Sequence, residues 1–231
     1  MQKFGNVRTL KRGGACFMRN FYVDKTRFFV VRHAEAQKNI EKMHGGGTQD
    51  LTERGIDQLK RSIRDLEVVT RKQKAHVFYQ KEGRSEETAK IISRQIGAEM
   101  TMAEQIYGVG LGVIASLNED ELKIQYPEVS RILENWKNNG AKLDDYPDVP
   151  GREHMMDFAR RIKEGLLRIL KPDTDIIIVG ITSTINMLNH LMSTNGEFVR
   201  DKYNFVLFPF SGINGWRLYK DKPPEKIFSN F

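Results

Sequence analysis

Short apolar runs alternate along the chain with longer segments that carry apolar residues on one face only. Residues 28–31 and 176–179 are runs of aromatic or β-branched residues with polar residues nearby. Such runs are typical of strands buried on both faces of a parallel sheet. Apolar residues recur at three- and four-residue spacing from Ile56 to Leu66, which predicts a helix with one buried side. This alternation predicts an α/β fold, in three α/β/α layers around a mostly parallel sheet.

The same pattern places the remaining elements. One helix begins near Ser85, which can cap it, and ends at Gly97, which suits the position just after a helix. Another helix is predicted over residues 153–170, and a further one from Thr184 onward. Additional strands are predicted at about 75–79, 203–207 and 213–219.

Local composition divides the chain into segments. Residues 1–25 have no helical period and contain the turn pair Gly13-Gly14, so they are predicted to be an N-terminal extension. Residues 26–231 are predicted to form the α/β domain. Within it, residues 104–150 are irregular and contain several glycines and prolines, which predicts an insertion, or lid, that folds over the strand ends.

The overall composition is that of a globular protein of a reducing compartment. The 231 residues are 39% hydrophobic and 29% charged, and no apolar stretch approaches the roughly 20 residues that span a bilayer. No signal-peptide pattern follows the basic N-terminus, and Cys16 has no partner for an intramolecular disulfide. We therefore expect a cytoplasmic protein that does not enter a membrane.

The net charge of +7 favours an anionic substrate without identifying one. Part of this charge lies in the extension and part in the basic run at 71–74. Aromatic residues are not interleaved with these clusters, as a platform for stacking bases requires. A solvated basic face is therefore favoured, and association with nucleic acid is the weaker alternative. No feature of the sequence fixes an oligomeric state.

Arg32 and His33 end the first predicted strand and open a polar loop. Ligands of open α/β sheets bind beyond the carboxyl ends of the strands, so these two side chains lie where chemistry is expected. One is a permanent cation and the other titrates near neutral pH. An isolated Arg-His pair is more often only a strand that ends in a hydrogen-bonded histidine, so the rest of the chain decides between the two readings.

Several motifs together resemble the histidine phosphatase (phosphoglycerate mutase-like) superfamily. Arg32-His33-Ala34-Glu35 resembles the Arg-His-Gly-Glu signature of that family, with Ala34 in place of the glycine. Asn39 follows Arg32 at the family's spacing, and Arg84 precedes Thr88-Ala89 as it does in the family. The resemblance covers about residues 26–219 and implies a histidine phosphatase-like domain with an inserted lid.

The resemblance also implies roles in phosphoryl transfer. His33 would be the nucleophile that carries the phosphoryl group, and Arg32, Arg84 and Asn39 would bind the phosphoryl oxygens. Glu104 opens a segment that resembles the mutase-type segment whose glutamate protonates the leaving oxygen. Taken alone, Arg84 and Glu104 are each also compatible with a surface position. Because arginines supply the positive charge that this chemistry needs, neither a metal nor a cofactor is expected.

A catalytic position also departs from the family pattern. The second catalytic histidine of the family follows the last core strand, and Ile181 stands at that position here. Isoleucine donates no hydrogen bond, and losing one preorganised donor costs a factor of about 10²–10³ in rate. Thr182 and Ser183, at a predicted helix start, are the donors left to replace it in part.

Two functions are consistent with this set of residues. The first is a phosphohydrolase that acts on a small phosphomonoester through a phosphohistidine, weakened by the loss of the second histidine. Hydrolysis is favoured over mutase transfer because the mutase-like match is confined to the Glu104 segment. The second is a catalytically inactive pseudophosphatase that binds a phosphorylated ligand or protein partner.

Overall fold

The computed structural model describes residues 26–43, 49–70, 74–139, 141–142 and 149–230. The extension predicted over residues 1–25 lies outside these ranges, as do residues 71–73 of the basic run. Within the described ranges, no helix is both long enough and apolar enough to cross a bilayer.

Strands and helices alternate along the described chain, as the apolar pattern predicts. The strands are β1 (Thr26–Arg32), β2 (Lys74–Tyr79), β3 (Glu99–Met102), β4 (Ala141–Lys142), β5 (Thr174–Gly180), β6 (Asn204–Phe205), β7 (Ile213–Leu218) and β8 (Glu225–Ser229). The helices are α1 (Gln37–Ile40), α2 (Glu53–Thr70), α3 (Gly83–Ile96), α4 (Glu119–Gln125), α5 (Pro127–Asn139), α6 (Met155–Ile169) and α7 (Thr182–Ser193).

The central sheet has the strand order β3-β2-β5-β1-β7-β8. The first four of these strands are parallel, and β7 and β8 are antiparallel to their neighbours. This mixed, mostly parallel sheet confirms the predicted fold class. In the register of the pairs, Arg32 lies opposite Gly180 and Tyr79 lies opposite Val179. The carboxyl ends of β1, β2 and β5 therefore meet at one edge of the sheet.

Alternate residues of β1 face two separate cores. Phe28 and Val30 pack in a cluster with residues of α6 and α7, whereas Phe29 and Val31 pack with residues of α2 and α3. All four side chains are completely buried. A strand has a side-chain period of two, so an unbroken apolar run can fill both cores at once. This is the physical basis of the three layers.

Between β3 and α6 the chain forms α4 and α5, which have a small core of their own around Ile114, Leu122 and Val149. Asn118 caps α4 by accepting a hydrogen bond from the Glu121 backbone N–H at 2.8 Å, and the Glu121 carboxylate accepts one from the Asn118 N–H at 2.9 Å. This reciprocal pair satisfies two backbone donors at the helix start. The segment predicted as an insertion is thus an organised helical unit in its described part.

The structure differs from the prediction at the start of α3 and in short elements that were not predicted. Ser85 does not cap α3: Glu82 holds the N-cap position without a side-chain cap, and Ser85 lies inside the first turn, fully buried. The short strands β3 and β8 were not predicted, because both are edge strands with mostly exposed or partly exposed residues. A strand with one neighbour and little burial leaves only a weak apolar signal.

His190 on α7 is a buried histidine with a structural hydrogen bond. Its Nε2 accepts a bond from the Val199 N–H at 3.0 Å, and burial lowers its pKa to about 4. An unfolded histidine takes up a proton near pH 6.5, so the free energy of unfolding is highest above that pH and decreases as the pH falls toward 4. We predict that the titration of His190 lowers the free energy of unfolding by about 2 kcal/mol between pH 7 and pH 5.

Urea unfolding at both pH values checks this prediction. His190→Gln keeps a hydrogen-bond acceptor but does not titrate. The decrease in unfolding free energy from pH 7 to pH 5 should therefore be about 2 kcal/mol smaller in this variant than in the wild type. Equal pH dependence in the two proteins would contradict the assignment.

Candidate active site

A cavity of about 400 Å³ lies at the sheet edge where β1 and β5 end. One side of it is formed by Arg32, His33 and Arg84. Apolar side chains form much of the rest, among them Leu111, Leu133, Met155, Phe158 and Phe205. The cavity therefore combines a cationic end with an apolar wall.

His33 follows β1 directly and is only 3% exposed. Its Nδ1 lies 2.7 Å from the carbonyl oxygen of Ala34, and its Nε2 lies 3.1 Å from Nε of Arg84, which donates a hydrogen bond to it. A carbonyl can only accept, so Nδ1 carries the proton and Nε2 carries the lone pair. Burial, and then the positive charge of Arg84, hold the pKa of His33 well below its usual value. The imidazole is therefore neutral, with its nucleophilic nitrogen on the side of Arg84.

The two arginines reach the cavity from different elements. Arg84 lies in the first turn of α3, is buried, and also donates to Oε1 of Gln49. Arg32 ends β1, donates to the carbonyl of Phe208, and lies with its guanidinium carbon 3.9 Å from the centre of the Phe210 ring.

These arginines bring two positive charges into a buried space. Burial, and then the charge of Arg84, lower the pKa of Arg32 to about 10. Burial also lowers the pKa of Arg84. The buried Nε of Arg32 has no hydrogen-bond partner among the described residues. Two desolvated guanidiniums with an unused donor are suited to an anion with several oxygens, such as a phosphoryl group.

The N-terminus of α7 supplies further donors. Ile181 is its N-cap and provides no side-chain cap, and Thr182 and Ser183 begin the helix on the cavity wall. The first backbone N–H groups of a helix carry a partial positive charge and favour anions. Ile181 also packs against Gly108, where a Cβ atom would collide with the Ile181 side chain. An apolar side chain therefore occupies the start of α7 beside the cavity.

Gln80 is a buried residue that positions the start of α7. It follows β2, is completely buried, accepts a hydrogen bond from the Ile181 N–H, and donates one to Oγ1 of Thr184 at 2.8 Å. Gly180 permits this approach, since a Cβ atom there would collide with the Gln80 side chain. Gln80 thus ties the end of β2 to the start of α7.

Asn39 lies in α1 and lines the cavity. Its Oδ1 accepts a hydrogen bond from the Ala36 N–H at 3.0 Å. This bond uses the acceptor end of the amide, so the two N–H groups of Asn39 are the part that can bind a phosphoryl oxygen.

Glu104 is not brought to this cavity. It is exposed and lines a neighbouring depression with Glu82 and Tyr107. Arg161 of α6 holds the adjoining backbone by donating to the carbonyls of Gln105, Tyr107 and Gly108 at 2.8–3.2 Å. The same guanidinium forms an ion pair with Glu153 at 2.7 Å and lies 3.4 Å from the centre of the Tyr107 ring.

The carboxylate that lines the cavity among the described residues is Glu119, at the start of α4. Sequence reasoning missed it because it lies in the irregular segment and matches no motif. Within the described part of the chain, no group of three or more His, Cys, Asp or Glu side chains could hold a metal ion.

Lys38 is a second residue that the sequence did not single out. It lines the cavity from α1, and only 4% of it is exposed. A lysine in a polar loop is ordinarily exposed, so its local sequence carries no signal of burial.

Comparisons with known proteins agree with this geometry. Residues 28–201 match the profile of the histidine phosphatase superfamily (branch 1). The curated relatives include the probable phosphoglycerate mutase GpmB of Escherichia fergusonii, 26% identical over 147 residues, and that of an Enterobacter species, 25% identical over 147 residues. In both cases the match covers 62% of this chain and 62% of the relative.

Solved structures share the fold at low sequence identity. A mycobacterial glucosyl-3-phosphoglycerate phosphatase, solved with VO3, has a TM-score of 0.67 and 16% identity, over 88% of this chain and 98% of its own. A phosphoserine phosphatase of Entamoeba histolytica, in complex with 3-phosphoglyceric acid, has a TM-score of 0.65 and 18% identity, over 89% and 97%. The profile match spans well over half of the sequence, and its motif residues meet in one cavity; the chain therefore belongs to the histidine phosphatase superfamily, branch 1.

Proposed function

We propose that this protein is a phosphohydrolase that cleaves a small phosphomonoester through a phosphohistidine on His33. The observation that carries the proposal is the state of His33: neutral, protonated on Nδ1, with Nε2 beside a buried arginine in a cavity. In-line attack on phosphorus requires a neutral nitrogen with a lone pair, and Nε2 of His33 has one once Arg84 turns its donors to the substrate. The names of the relatives, phosphatases and probable mutases, support phosphoryl transfer at this site.

The reaction proceeds in two displacements. Nε2 of His33 attacks phosphorus while the bond from phosphorus to the leaving oxygen breaks, and that oxygen takes a proton from a carboxyl group. Arg84 turns its N–H donors from Nε2 to the phosphoryl oxygens. Arg32, Asn39 and the N-terminus of α7 bind these oxygens as well. Water then attacks the phosphohistidine and gives a proton to the carboxylate left by the first step, while the bond from phosphorus to Nε2 breaks to release inorganic phosphate and neutral His33. Positioned cations and dipoles carry most of the catalysis in such reactions.

The proton donor must reach the leaving oxygen inside the cavity. Glu119 lines the cavity, whereas Glu104, the donor that the family resemblance implies, lies in the neighbouring depression. We therefore assign Glu119 as the group that donates a proton to the leaving oxygen. Glu119 lies in the first turn of α4 and lines the cavity together with the apolar residues Leu111 and Leu133.

The rest of the cavity wall indicates the chemistry of the leaving group. Leu111, Leu133, Met155 and Phe205 face it, and each methylene of a substrate buried there contributes about 0.8 kcal/mol. A small phosphomonoester with a largely apolar leaving group fits this wall.

The alternative is a pseudophosphatase, and Ile181 is the observation that favours it. Its side chain packs on Gly108 and gives no donor to a phosphoryl group. Such a protein would keep the anion site formed by Arg32 and Arg84 but would not turn a substrate over.

The first prediction concerns His33. Incubation with a ³²P-labelled aryl phosphate, followed by rapid quenching, should trap a base-stable, acid-labile label on the protein. His33→Ala should abolish both label and turnover, since no other described residue presents a neutral imidazole nitrogen to the arginines. His76→Gln, on β2 away from the cavity, is the matched control and should keep both. Retained phosphate binding with no label and no turnover in the wild type would establish the pseudophosphatase, and unchanged turnover in His33→Ala would refute the mechanism.

The second prediction concerns Ile181. Ile181→His restores a hydrogen-bond donor of similar size at the end of β5, and kcat should rise by a factor of about 10²–10³. Ile181→Leu removes no donor and should leave kcat near the wild-type value. A histidine variant with unchanged kcat would mean that another group already supplies this interaction.

The third prediction separates the two carboxylates. Loss of the proton donor slows the release of a poor leaving group far more than that of a good one. Glu119→Gln should therefore lower kcat/KM by a factor of about 10²–10⁴ for an alkyl phosphate and much less for p-nitrophenyl phosphate. Glu104→Gln, with the same change of charge, should affect both substrates alike. The reverse pattern would assign the proton to Glu104 and would require the segment held by Arg161 to rearrange.

A further inference from the structure

Lys38 is a buried cation that the mechanism above does not use. It lies in α1, one residue before Asn39, lines the same cavity as Arg32, His33 and Arg84, and is only 4% exposed. Lysine is almost never buried to this degree without a charged partner. Its position therefore calls for a physical explanation.

The described surroundings of Lys38 do not neutralise it. Arg84 lowers the pKa of Lys38, Lys38 in turn lowers that of His33, and Arg32 completes the positive end of the cavity. Glu82 and Glu41 act in the opposite sense, but their effects on the pKa of Lys38 are smaller than those of burial and of Arg84.

Burial, and second the charge of Arg84, lower the pKa of Lys38 to about 8. The ammonium group thus lies among like charges in a site open to a ligand, and a doubly charged anion is the group that balances such a cluster.

The site also lacks one donor. Ile181 occupies the position of the second histidine, and its side chain cannot bind a phosphoryl oxygen. We propose that Lys38 takes over the anion-binding part of the missing histidine's role: its Nζ donates to the phosphoryl group of the substrate, beside Arg32 and Arg84, whereas the histidine's contribution to the transition state stays lost. This inference rests on the proposed phosphoryl site, but it requires only that the anion binds, not that it turns over.

A long flexible stem explains how a lysine can fill this role from another wall. The histidine position is at the start of α7, whereas Lys38 projects from α1. The ammonium group is a compact charge with three donors on a four-carbon chain, so it does not need the backbone position of the histidine. Lys38 would thus bind the anion from the side of α1, whereas a histidine at the start of α7 would bind it from the side of that helix.

The chain provides a matched control. Lys42 lies four residues later, lines the same cavity and carries the same charge, but its side chain is exposed. Lys38→Met and Lys42→Met change the net charge equally. Only the first removes a buried cation from the anion site.

The first experiment measures binding of orthophosphate by calorimetry, without turnover. Lys38→Met should weaken binding ten- to hundredfold, the range for a hydrogen bond from a charged group, and Lys42→Met by less than threefold. The melting temperature of the ligand-free protein should rise in Lys38→Met, because a buried like charge is removed, while the stabilisation by phosphate should shrink. Lys38→Gln serves as a second variant should the methionine variant not fold.

The second experiment uses pH. In the wild type, orthophosphate binding should weaken as the pH rises through about 8, as Lys38 loses its proton. Lys38→Arg keeps its charge at all these pH values, so it should retain binding and lose this alkaline decrease. An alkaline decrease that persists in Lys38→Arg, or phosphate binding that is unchanged in both Lys38→Met and Lys38→Gln, would overturn the proposal.

The outcomes are distinguishable from failure of the proposed function. A pseudophosphatase would show no phosphohistidine but would still lose orthophosphate binding in Lys38→Met. If Lys38→Met raised only KM for an organic substrate and left orthophosphate binding intact, Lys38 would contact the leaving group, and its assignment to the phosphoryl group would be wrong.

Discussion

The candidate site depends on the hydrogen bonds that join the ends of three parallel strands. The His33 N–H donates to the carbonyl of Gly180 at 3.0 Å, and the Gln80 N–H donates to that of Val179 at 3.2 Å. The Gln80 side chain then fixes the first residues of α7. These bonds place the nucleophile, the helix N-terminus and the start of the β2-to-α3 connection at one edge. A shift of one residue in either pairing would turn the side chains of that strand to the opposite face.

Charge is the second constraint on this edge. Three cations, the half-buried Arg32 and the buried Lys38 and Arg84, lie around an imidazole that stays neutral because of its own burial and, second, their positive charges. Each loses hydration in the folded protein, which lowers the pKa of each. The arrangement opposes folding when the cavity holds no anion and favours folding when it holds one, so ligand binding and stability are linked at this site. It also protects the nucleophile from protonation over the physiological pH range.

The sequence predicted those features that repeat at short range or follow from a motif. The apolar runs of β1 and β5 are long enough to fill two cores, so they predicted the layers. The Arg32-His33 pair at a strand end predicted the edge that carries the site. The positions of Lys38, Glu119 and Glu104 could not be predicted in the same way. Burial of a long charged side chain depends on which distant elements cover it, here α4 and α5 and the segment near Val109, and local sequence does not record that.

Arg161 has a consequence for how the site can vary. The guanidinium of Arg161 on α6 donates hydrogen bonds to three backbone carbonyls of one segment, those of Gln105, Tyr107 and Gly108. It also forms an ion pair with Glu153. The segment that carries Glu104 at one end and Val109 on the cavity wall at the other is therefore anchored to a core helix rather than to the strand it follows. Substitutions on the buried face of α6 would move both ends of this segment together. The shape of the cavity and the position of Glu104 would therefore change together.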